Sequence, residues 1–258
     1  MKERFLRYIF NNQSCYGIIK GEVVHQIESN FLFKKPLETG RTLELNKVKI
    51  LPPVVPSKVV GLAYNYKDLV GERENYSEPL IFLKPSTSVI GMNDELVVPR
   101  NRRTWGEVEL AIVIGIKAKN VPSKSSKNYI FGYTIANDIT MQNIDSRDHH
   151  LAISKGCDTF CPLGPWIVTN INTSKLSLTN HINGKLFQEG NTSNRILNDS
   201  EAVSLVSQYM TLNPGDVIIT GTPKNAMNSL LYDKSEISIT VEGIGTLTNK
   251  VKMINKVQ

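Results

Sequence analysis

The chain has 258 residues, of which 40% are hydrophobic and 21% are charged, so its composition fits one large all-β or mixed domain, or one domain with a small appendage. It contains no apolar run of roughly 18 residues and its charged start is unlike a signal peptide, so we expect a cytoplasmic protein with no membrane partner. The formal net charge is +6, but aromatic residues are not interleaved with the basic ones, so nucleic-acid binding is not expected.

The first 50 residues predict a small β unit. Strand-like runs at 5–10, 16–20 and 23–27 are separated by residues typical of turns, and ionisable residues do not cluster there. Three prolines within residues 51–56 favour an extended linker. We therefore predict a small N-terminal β unit at 1–50 and a main domain at 56–258.

The main domain is predicted to consist mainly of strands. Polar residues 64–76 suit a short helix or a mobile loop, and a helix is expected to begin with Ser200 as its cap and Glu201 in its first turn. The remaining elements are predicted strands at 58–63, 79–85, 95–99, 129–139 and 216–220, and a hairpin formed by 237–241 and 245–253.

The strand predicted at 105–115 carries two carboxylates on one face. Glu107 and Glu109 are two residues apart, which places them roughly 6.5–7 Å apart along a strand. Two carboxylates beside a buried strand repel each other and are costly to desolvate, and a divalent cation such as Mg²⁺, Ca²⁺ or Mn²⁺ relieves both problems. The alternative is a solvent-facing pair at a sheet edge, and the sequence alone leaves both open.

Several other polar residues have plain explanations when taken singly. Asp138 ends an apolar strand, which is also typical of an exposed turn residue, and Lys155 precedes a glycine but a lone lysine usually lies at the surface. His149 and His150 are adjacent, and adjacent histidines rarely bind one ion together, because on a strand their side chains point to opposite faces. Three cysteines without a CxxC pair predict free thiols and neither a disulfide framework nor a zinc site.

Taken together, ordered blocks between Pro56 and Val251 resemble the fumarylacetoacetate hydrolase family. The blocks are Glu107-Val-Glu109, Gly132-Tyr-Thr-Ile-Ala-Asn-Asp138, Asp158-Thr-Phe-Cys-Pro-Leu-Gly-Pro165, Gln188-Glu-Gly-Asn-Thr-Ser193 and Pro214-Gly-Asp-Val-Ile-Ile-Thr-Gly-Thr-Pro223, with Phe82-Leu-Lys-Pro-Ser86 and Glu242-Gly-Ile-Gly-Thr246 in support. The resemblance implies a mixed β-sandwich roll, usually a homodimer, that acts on small 2-oxo or 1,3-dicarbonyl carboxylic acids.

The resemblance also implies roles for individual residues. It implies that Glu107, Glu109 and Asp138 bind Mg²⁺ or Mn²⁺. Lys155 matches the family's active-site lysine, and Thr222 matches a position that contacts the substrate carboxylate. Tyr66, from the Asn-Tyr pair that precedes the family's lid, and Gln142, in the block after Asp138, are the further substrate-binding candidates.

The chain departs from the family pattern in two places. Many members carry a histidine–glutamate dyad in the lid; Glu72 fits the second position, but Leu69 stands where the histidine would be. The block at 140–143 also differs from the Ser-Ala-Arg-Asp of many members. Hydrolysis needs a base to activate water, whereas decarboxylation and isomerisation do not, so Leu69 favours the latter two reactions.

The resulting expectation is a metal-dependent enzyme that acts through a metal-bound enolate, by C–C cleavage, decarboxylation or isomerisation. Lys155 would stabilise charge or deliver a proton if burial and its neighbours lower its pKa. One alternative is a C–C hydrolase with Glu72, or an unaligned residue such as His150, as the base. The other is a catalytically inactive dimer that binds a metal and a small acid.

Overall fold

The computed structural model describes residues 2–70 and 79–255. Within these ranges the chain forms nineteen strands and four short or medium helices, so the predicted mainly β fold is confirmed. The strands are β1 (Arg4–Phe10), β2 (Gln13–Lys20), β3 (Val23–Ile27), β4 (Glu38–Glu44), β5 (Lys49–Leu51), β6 (Lys58–Ala63), β7 (Leu80–Pro85), β8 (Val89–Ile90), β9 (Glu95–Pro99), β10 (Thr104–Trp105), β11 (Val108–Ile114), β12 (Ile130–Asn137), β13 (Thr140–Met141), β14 (Cys161–Val168), β15 (Ser177–Ile182), β16 (Lys185–Asn191), β17 (Val217–Ile219), β18 (Glu236–Val241) and β19 (Gly245–Ile254).

The α-helices are few and short. They are α1 (Lys67–Val70), α2 (Ser123–Ser126), α3 (Ala152–Gly156) and α4 (Asp199–Tyr209). Single 3₁₀ turns lie at Leu45–Lys47, Ser86–Ser88, Lys127–Tyr129, Thr192–Asn194 and Ala226–Asn228. Across the described ranges, no helix has the length and apolar character needed to cross a bilayer.

Most strands join one large mixed sheet. Its main path runs β4-β3-β2-β1-β14-β12-β11-β17-β6-β7, with β5 paired to β1 and β8 paired to β14. The N-terminal strands enter this sheet because β1 pairs with β14, with Arg4 opposite Val168 and Phe5 opposite Ile167. The 1–50 unit therefore extends the sheet of the main domain, and the division at residues 50–56 stays a prediction.

A second sheet packs over the first and encloses the core. Its order is β16-β15-β18-β19-β9, and it includes the predicted terminal hairpin of β18 and β19. Leu110 and Ile112 from β11 meet Ile239 of β18 and Leu247 of β19 in one fully buried apolar cluster. This face-to-face packing confirms the expected β-sandwich. Ala111 and Val113 on the other face of β11 are buried in a separate apolar cluster, so both faces of this strand are covered.

The cap of α4 differs from the prediction. Asn198, and not Ser200, caps the helix: its side chain accepts hydrogen bonds from the backbone N–H groups of Ser200 and Glu201. The backbone N–H of Asn198 in turn donates to Oε2 of Glu201 at 2.8 Å, which completes a capping box. Asparagine and serine are equally good caps, so the choice depends on where the chain turns, which composition alone does not reveal.

Candidate metal and active site

Three carboxylates meet where β11 begins and β12 ends. The two strands are antiparallel, with Val108 opposite Asn137, so Glu107 precedes β11 beside the point at which Asp138 follows β12. The backbone N–H of Asp138 donates to the Glu107 carbonyl at 2.9 Å. One carboxylate oxygen from each of Glu107, Glu109 and Asp138 lies within 4.8 Å of the other two. The residues predicted as metal ligands therefore converge.

The alternative of a solvent-facing pair at a sheet edge is wrong. Strand β11 lies inside the large sheet, between β12 and β17. The Glu109 residue is only 2% exposed, and the Glu107 side chain is 12% exposed. Both carboxylates lie on the face of β11 that carries Ala111 and Val113, opposite the face that the second sheet covers. Their burial follows from the elements that pack on this face, including α3 with Lys155 and the loop after β17 with Gly221.

Glu107 is held by hydrogen bonds at both side-chain oxygens. The Trp105 indole Nε1 donates to Oε1 at 2.8 Å, and the Lys155 ammonium donates to Oε2 at 3.1 Å. The backbone N–H of Glu107 donates to Oδ1 of Asn137 at 3.0 Å. These contacts orient the carboxylate before any ligand arrives.

Glu109 faces the loop that follows β17. The backbone N–H of Gly221 donates to Glu109 Oε2 at 2.6 Å. Gly221 has φ +91°, and a Cβ there would lie 2.9 Å from the Leu62 carbonyl oxygen, so only glycine brings its N–H into this position without strain. Burial, followed by the negative charge of Asp138, raises the pKa of Glu109 well above its ordinary value.

Asp138 is fully buried and paired with two lysines. The Lys84 ammonium donates to Oδ1 at 2.5 Å, and the Lys155 ammonium donates to Oδ2. Burial alone would raise the pKa of Asp138, but the two ammonium groups outweigh burial and hold that pKa below its ordinary value. Both oxygens of this candidate ligand are therefore fixed in direction.

Lys84 lies within a sequence block that resembles the family, but the sequence indicated no role for it. The signal was the alternation of β7: Phe82 and Lys84 face inward, whereas Leu83 between them is exposed. A lysine on the buried face with a leucine on the open face inverts the usual pattern of a strand. Such an inversion indicates a buried ionic partner, here Asp138.

Lys155 lies in α3 and points at the carboxylates. Its ammonium also donates to the Thr140 hydroxyl at 2.8 Å and lies 4.8 Å from the centre of the Phe82 ring. Burial alone would lower the pKa of Lys155, but the charges of Asp138, Glu107 and Glu109 outweigh burial and raise that pKa. The condition placed on Lys155 as a proton donor, a lowered pKa, is thus not met while its ammonium contacts these carboxylates.

The donor set fits a hard divalent cation. Three carboxylates face two ammonium groups, Lys84 and Lys155, which leaves one negative charge without a compensating partner. Glu109 receives its hydrogen bond from the Gly221 backbone N–H, and burial, followed by the charge of Asp138, raises its pKa. Carboxylate oxygens suit Mg²⁺ and Mn²⁺, and all three side chains offer one oxygen to a common point.

The predicted substrate-binding residues divide into different environments. Tyr66 is fully buried, and its hydroxyl has no hydrogen-bond partner among the described residues. Burial raises the pKa of Tyr66, and Glu109 is among the charges that act on its hydroxyl. A buried, unpaired hydroxyl near the carboxylates is a donor available to a ligand.

The Thr222 hydroxyl already has hydrogen-bond partners within the protein, whereas Gln142 is exposed. The Thr222 hydroxyl donates its one proton to the Val108 carbonyl at 3.0 Å and accepts from Nε2 of Gln188 at 2.8 Å. A substrate carboxylate that used this hydroxyl as a donor would have to displace the Val108 contact. Gln142 lies two residues beyond Thr140 and is exposed, so its role stays a prediction.

Of the candidates for a lid dyad or a catalytic base, one lies outside the residues that the structure describes and two lie within them. Glu72, predicted as a catalytic residue, lies outside the described ranges. Leu69 belongs to α1 and is 37% exposed, and His150 is exposed.

Asn65 connects the segment before α1 to two other elements. Its side chain is buried; Nδ2 donates to the Thr220 carbonyl at 2.8 Å, and Oδ1 accepts from the Leu197 backbone N–H at 2.8 Å. This residue keeps Tyr66 beside the loop that carries Gly221. In the sequence, Asn65 stood out only as part of the Asn-Tyr pair.

We expect Asn65→Ala to destabilise the fold by about 2–4 kcal/mol, because it leaves one buried and one partly buried backbone group without the Asn65 side chain as partner. Urea unfolding of the variant measures the loss, with Asn101→Ala, at an exposed asparagine, as the control. A loss below about 1 kcal/mol would contradict this role, since one unpaired buried group already costs that much.

The fold and the site together define a protein with an acidic metal-type centre at the end of two paired strands of a β-sandwich. The fumarylacetoacetate (FAA) hydrolase C-terminal family matches residues 58–252, and the Rv2993c-like N-terminal family matches residues 3–53. The chain belongs to the fumarylacetoacetate hydrolase family.

Three similar proteins illustrate the range of this family. Protein Rv2993c of Mycobacterium tuberculosis is 42% identical over 225 residues, covering 85% of this chain and 84% of that protein. A 2-hydroxyhepta-2,4-diene-1,7-dioate isomerase from Mycobacterium marinum is 37% identical, with a TM-score of 0.90 over 98% of this chain and all of that one. A maleylpyruvate hydrolase from Sphingobium sp. SYK-6, solved with manganese(II) and pyruvate, is 25% identical, with a TM-score of 0.80 over 97% of this chain and 99% of that one.

Proposed function

We propose that this protein is a divalent-metal-dependent enzyme that isomerises or decarboxylates a small 2-oxo or 1,3-dicarbonyl carboxylic acid. The observation that carries the proposal is the convergence of Glu107, Glu109 and Asp138, with one oxygen of each within 4.8 Å of the others, beside the ammonium of Lys155. A buried acidic trio with an adjacent lysine is poorly explained by stability alone, because unpaired buried charge is costly.

The residues divide the chemistry among them. Glu107, Glu109 and Asp138 would hold Mg²⁺ or Mn²⁺, which when bound supplies Lewis-acid stabilisation for negative charge on a carbonyl oxygen. Lys155 offers a fixed positive charge beside the same point, and Tyr66 offers a buried hydroxyl without a partner among the described residues. Both groups favour a substrate that becomes more negative during the reaction.

Leu69 decides the preference among the family's reactions. A leucine in α1 cannot take a proton from water, so the histidine half of the lid dyad is missing. Isomerisation and decarboxylation move a proton or release CO₂ without an attacking water. Similarity to the isomerase from Mycobacterium marinum supports the same preference.

The second candidate is C–C hydrolysis of an acylpyruvate. Similarity to the maleylpyruvate hydrolase that was solved with manganese(II) and pyruvate favours it, and Glu72 or His150 would then serve as the base. A catalytically inactive dimer that binds a metal and a small acid is the remaining alternative, although it leaves the Lys155 contacts without a purpose. A homodimer stays an expectation under all three.

The test is turnover of oxaloacetate, acetylpyruvate, fumarylpyruvate and a 2-hydroxy-dienedioate, each with Mg²⁺, with Mn²⁺ and after chelation. We expect metal-dependent CO₂ release or a shift in the ultraviolet spectrum of the diene. Release of two acids from an acylpyruvate would favour the hydrolase. No turnover of any compound would favour the inactive dimer if the protein still binds metal.

Leu69→His gives a second, independent test of the preference. We expect the variant to gain C–C hydrolysis of acetylpyruvate by about 10-fold or more over wild type, because a positioned base contributes about 10²–10⁴-fold when its geometry is right. Leu37→His, at another exposed leucine, is the control for an added histidine. Equal hydrolysis by wild type and Leu69→His would remove the argument based on Leu69.

A further inference from the structure

We infer that Lys84 is a positioning residue that holds the candidate metal ligand Asp138 in its binding orientation. This inference rests on the proposed function, because it assigns a role to a residue behind the proposed metal ligands. Lys84 is completely buried on β7, so it acts through Asp138 and not on a substrate.

The contacts of Lys84 fix one side of the Asp138 carboxylate. Its ammonium donates to Asp138 Oδ1 at 2.5 Å and to the Ile139 carbonyl at 3.3 Å. The second contact ties Lys84 to the backbone immediately after its partner. Lys84 itself is anchored by the pairing of β7 with β6, in which it lies opposite Val59.

The two lysines on Asp138 have different positions relative to the trio. Lys155 donates to Asp138 Oδ2 and also to Glu107 Oε2, so it bridges two of the three candidate ligands. Lys84 donates to the other oxygen, Oδ1, and its second contact is a backbone carbonyl. Lys155 therefore lies between ligands, whereas Lys84 supports one ligand from outside.

This difference predicts effects of opposite sign on metal binding. Removing a nearby positive charge strengthens the attraction between a carboxylate site and a cation. Removing a hydrogen-bond partner that orients a ligand weakens metal binding by about 10–100-fold. If Lys84 acts only through its charge, its loss tightens binding; if it positions Asp138, its loss weakens binding.

The experiment is Mn²⁺ titration of the full chain, followed by the electron paramagnetic resonance signal of free Mn²⁺. Wild type, Lys84→Met and Lys155→Met are compared with Lys58→Met. Lys58, the first residue of the neighbouring strand β6, forms an ion pair with Asp216 at 2.5 Å. Lys58→Met therefore removes one positive charge and one ion pair, as Lys84→Met does, but outside the trio.

We expect Lys84→Met to weaken Mn²⁺ binding by about 10-fold or more. Lys155→Met should bind Mn²⁺ at least as tightly as wild type, and Lys58→Met should match wild type within about 2-fold, because Lys58 lies outside the trio. Binding by Lys84→Met that equals or exceeds that of wild type would overturn the inference.

Two further measurements keep the test decisive. Circular dichroism and thermal unfolding show whether Lys84→Met is folded. If it is not, Lys84→Gln replaces it: the glutamine amide ends one bond short of the lysine ammonium, so it loses the contact with Asp138 Oδ1 and is expected to bind Mn²⁺ more weakly than wild type. Mn²⁺ binding by Lys84→Gln that is as tight as that of wild type would again overturn the inference. Failure of wild type itself to bind Mn²⁺ would instead reject the proposed function.

Discussion

Replacing Glu109 by glutamine is expected to lower metal-dependent turnover by about 10²–10³-fold while the protein stays folded. Glutamine keeps the shape of the side chain and an oxygen that can accept from the Gly221 N–H, the contact that glutamate makes at 2.6 Å. It removes the negative charge that a divalent cation requires from one of its three candidate ligands. The change is therefore specific to charge.

The stability of Glu109→Gln separates a metal role from a structural one. Burial and the charge of Asp138 raise the pKa of Glu109, so ionised glutamate is unfavourable in the metal-free protein. A neutral glutamine avoids this cost, and the metal-free variant should unfold at a temperature equal to or above that of metal-free wild type. Thermal unfolding with chelator present measures this.

The control for Glu109→Gln is Glu95→Gln, at an exposed glutamate of β9 that pairs with Lys252. It should leave turnover and Mn²⁺ binding unchanged, because exposed ion pairs contribute little. Full turnover by Glu109→Gln would reject the three-carboxylate centre as the site of metal-dependent chemistry. Loss of turnover with loss of folding would reject the charge-specific explanation.

Lys155→Met is expected to lose turnover by about 10²–10³-fold while Mn²⁺ still binds. Methionine fills a similar volume but removes the ammonium that contacts Glu107 and Asp138. Because that ammonium lies between the two carboxylates, its removal takes away a positive charge that competes with the proposed Mg²⁺ or Mn²⁺ for them. Turnover should therefore fall, while the affinity for Mn²⁺ rises or stays unchanged.

Steady-state kinetics at saturating metal, together with the Mn²⁺ titration, tests this second prediction. Lys252→Met removes an exposed lysine and serves as the control. If Lys155→Met kept most of its kcat, Lys155 would not stabilise charge in the reaction. If it lost Mn²⁺ binding as well, its role would be to hold the carboxylates in place.

Asp138 shows how far the sequence could be read. The alternation of the strand at 105–115 placed Glu107 and Glu109 on one face, but Asp138 on its own also suited an exposed turn. Only the antiparallel pairing of β11 with β12 brings Asp138 beside Glu107, through a contact between residues 31 positions apart. The resemblance to the family identified the trio, because the family's sequence blocks carry indirect information about which residues meet in the fold.

For Lys84 and Lys155, the sequence did not reveal which charged groups surround the side chain. Lys84 was visible in the sequence only as part of a family motif, and neither its burial nor its partner was predicted. The role of Lys155 as a proton donor was conditional on burial and its neighbours lowering its pKa, and the sequence did not show which charges those neighbours carry. Three carboxylates reverse the direction of that shift, and their distances depend on packing between elements.

The sequence by itself determined the mainly β character, the positions of many strands and the carboxylates available for a site, because these depend on local alternation and on which residue types are present. Strands β4 and β14 were not among those predicted. The tertiary structure alone decided that β11 is covered on both faces, that Glu109 is buried, and that two lysines share Asp138. Burial and charge pairing depend on which distant strands come together, and that information is not contained in any one segment of the chain.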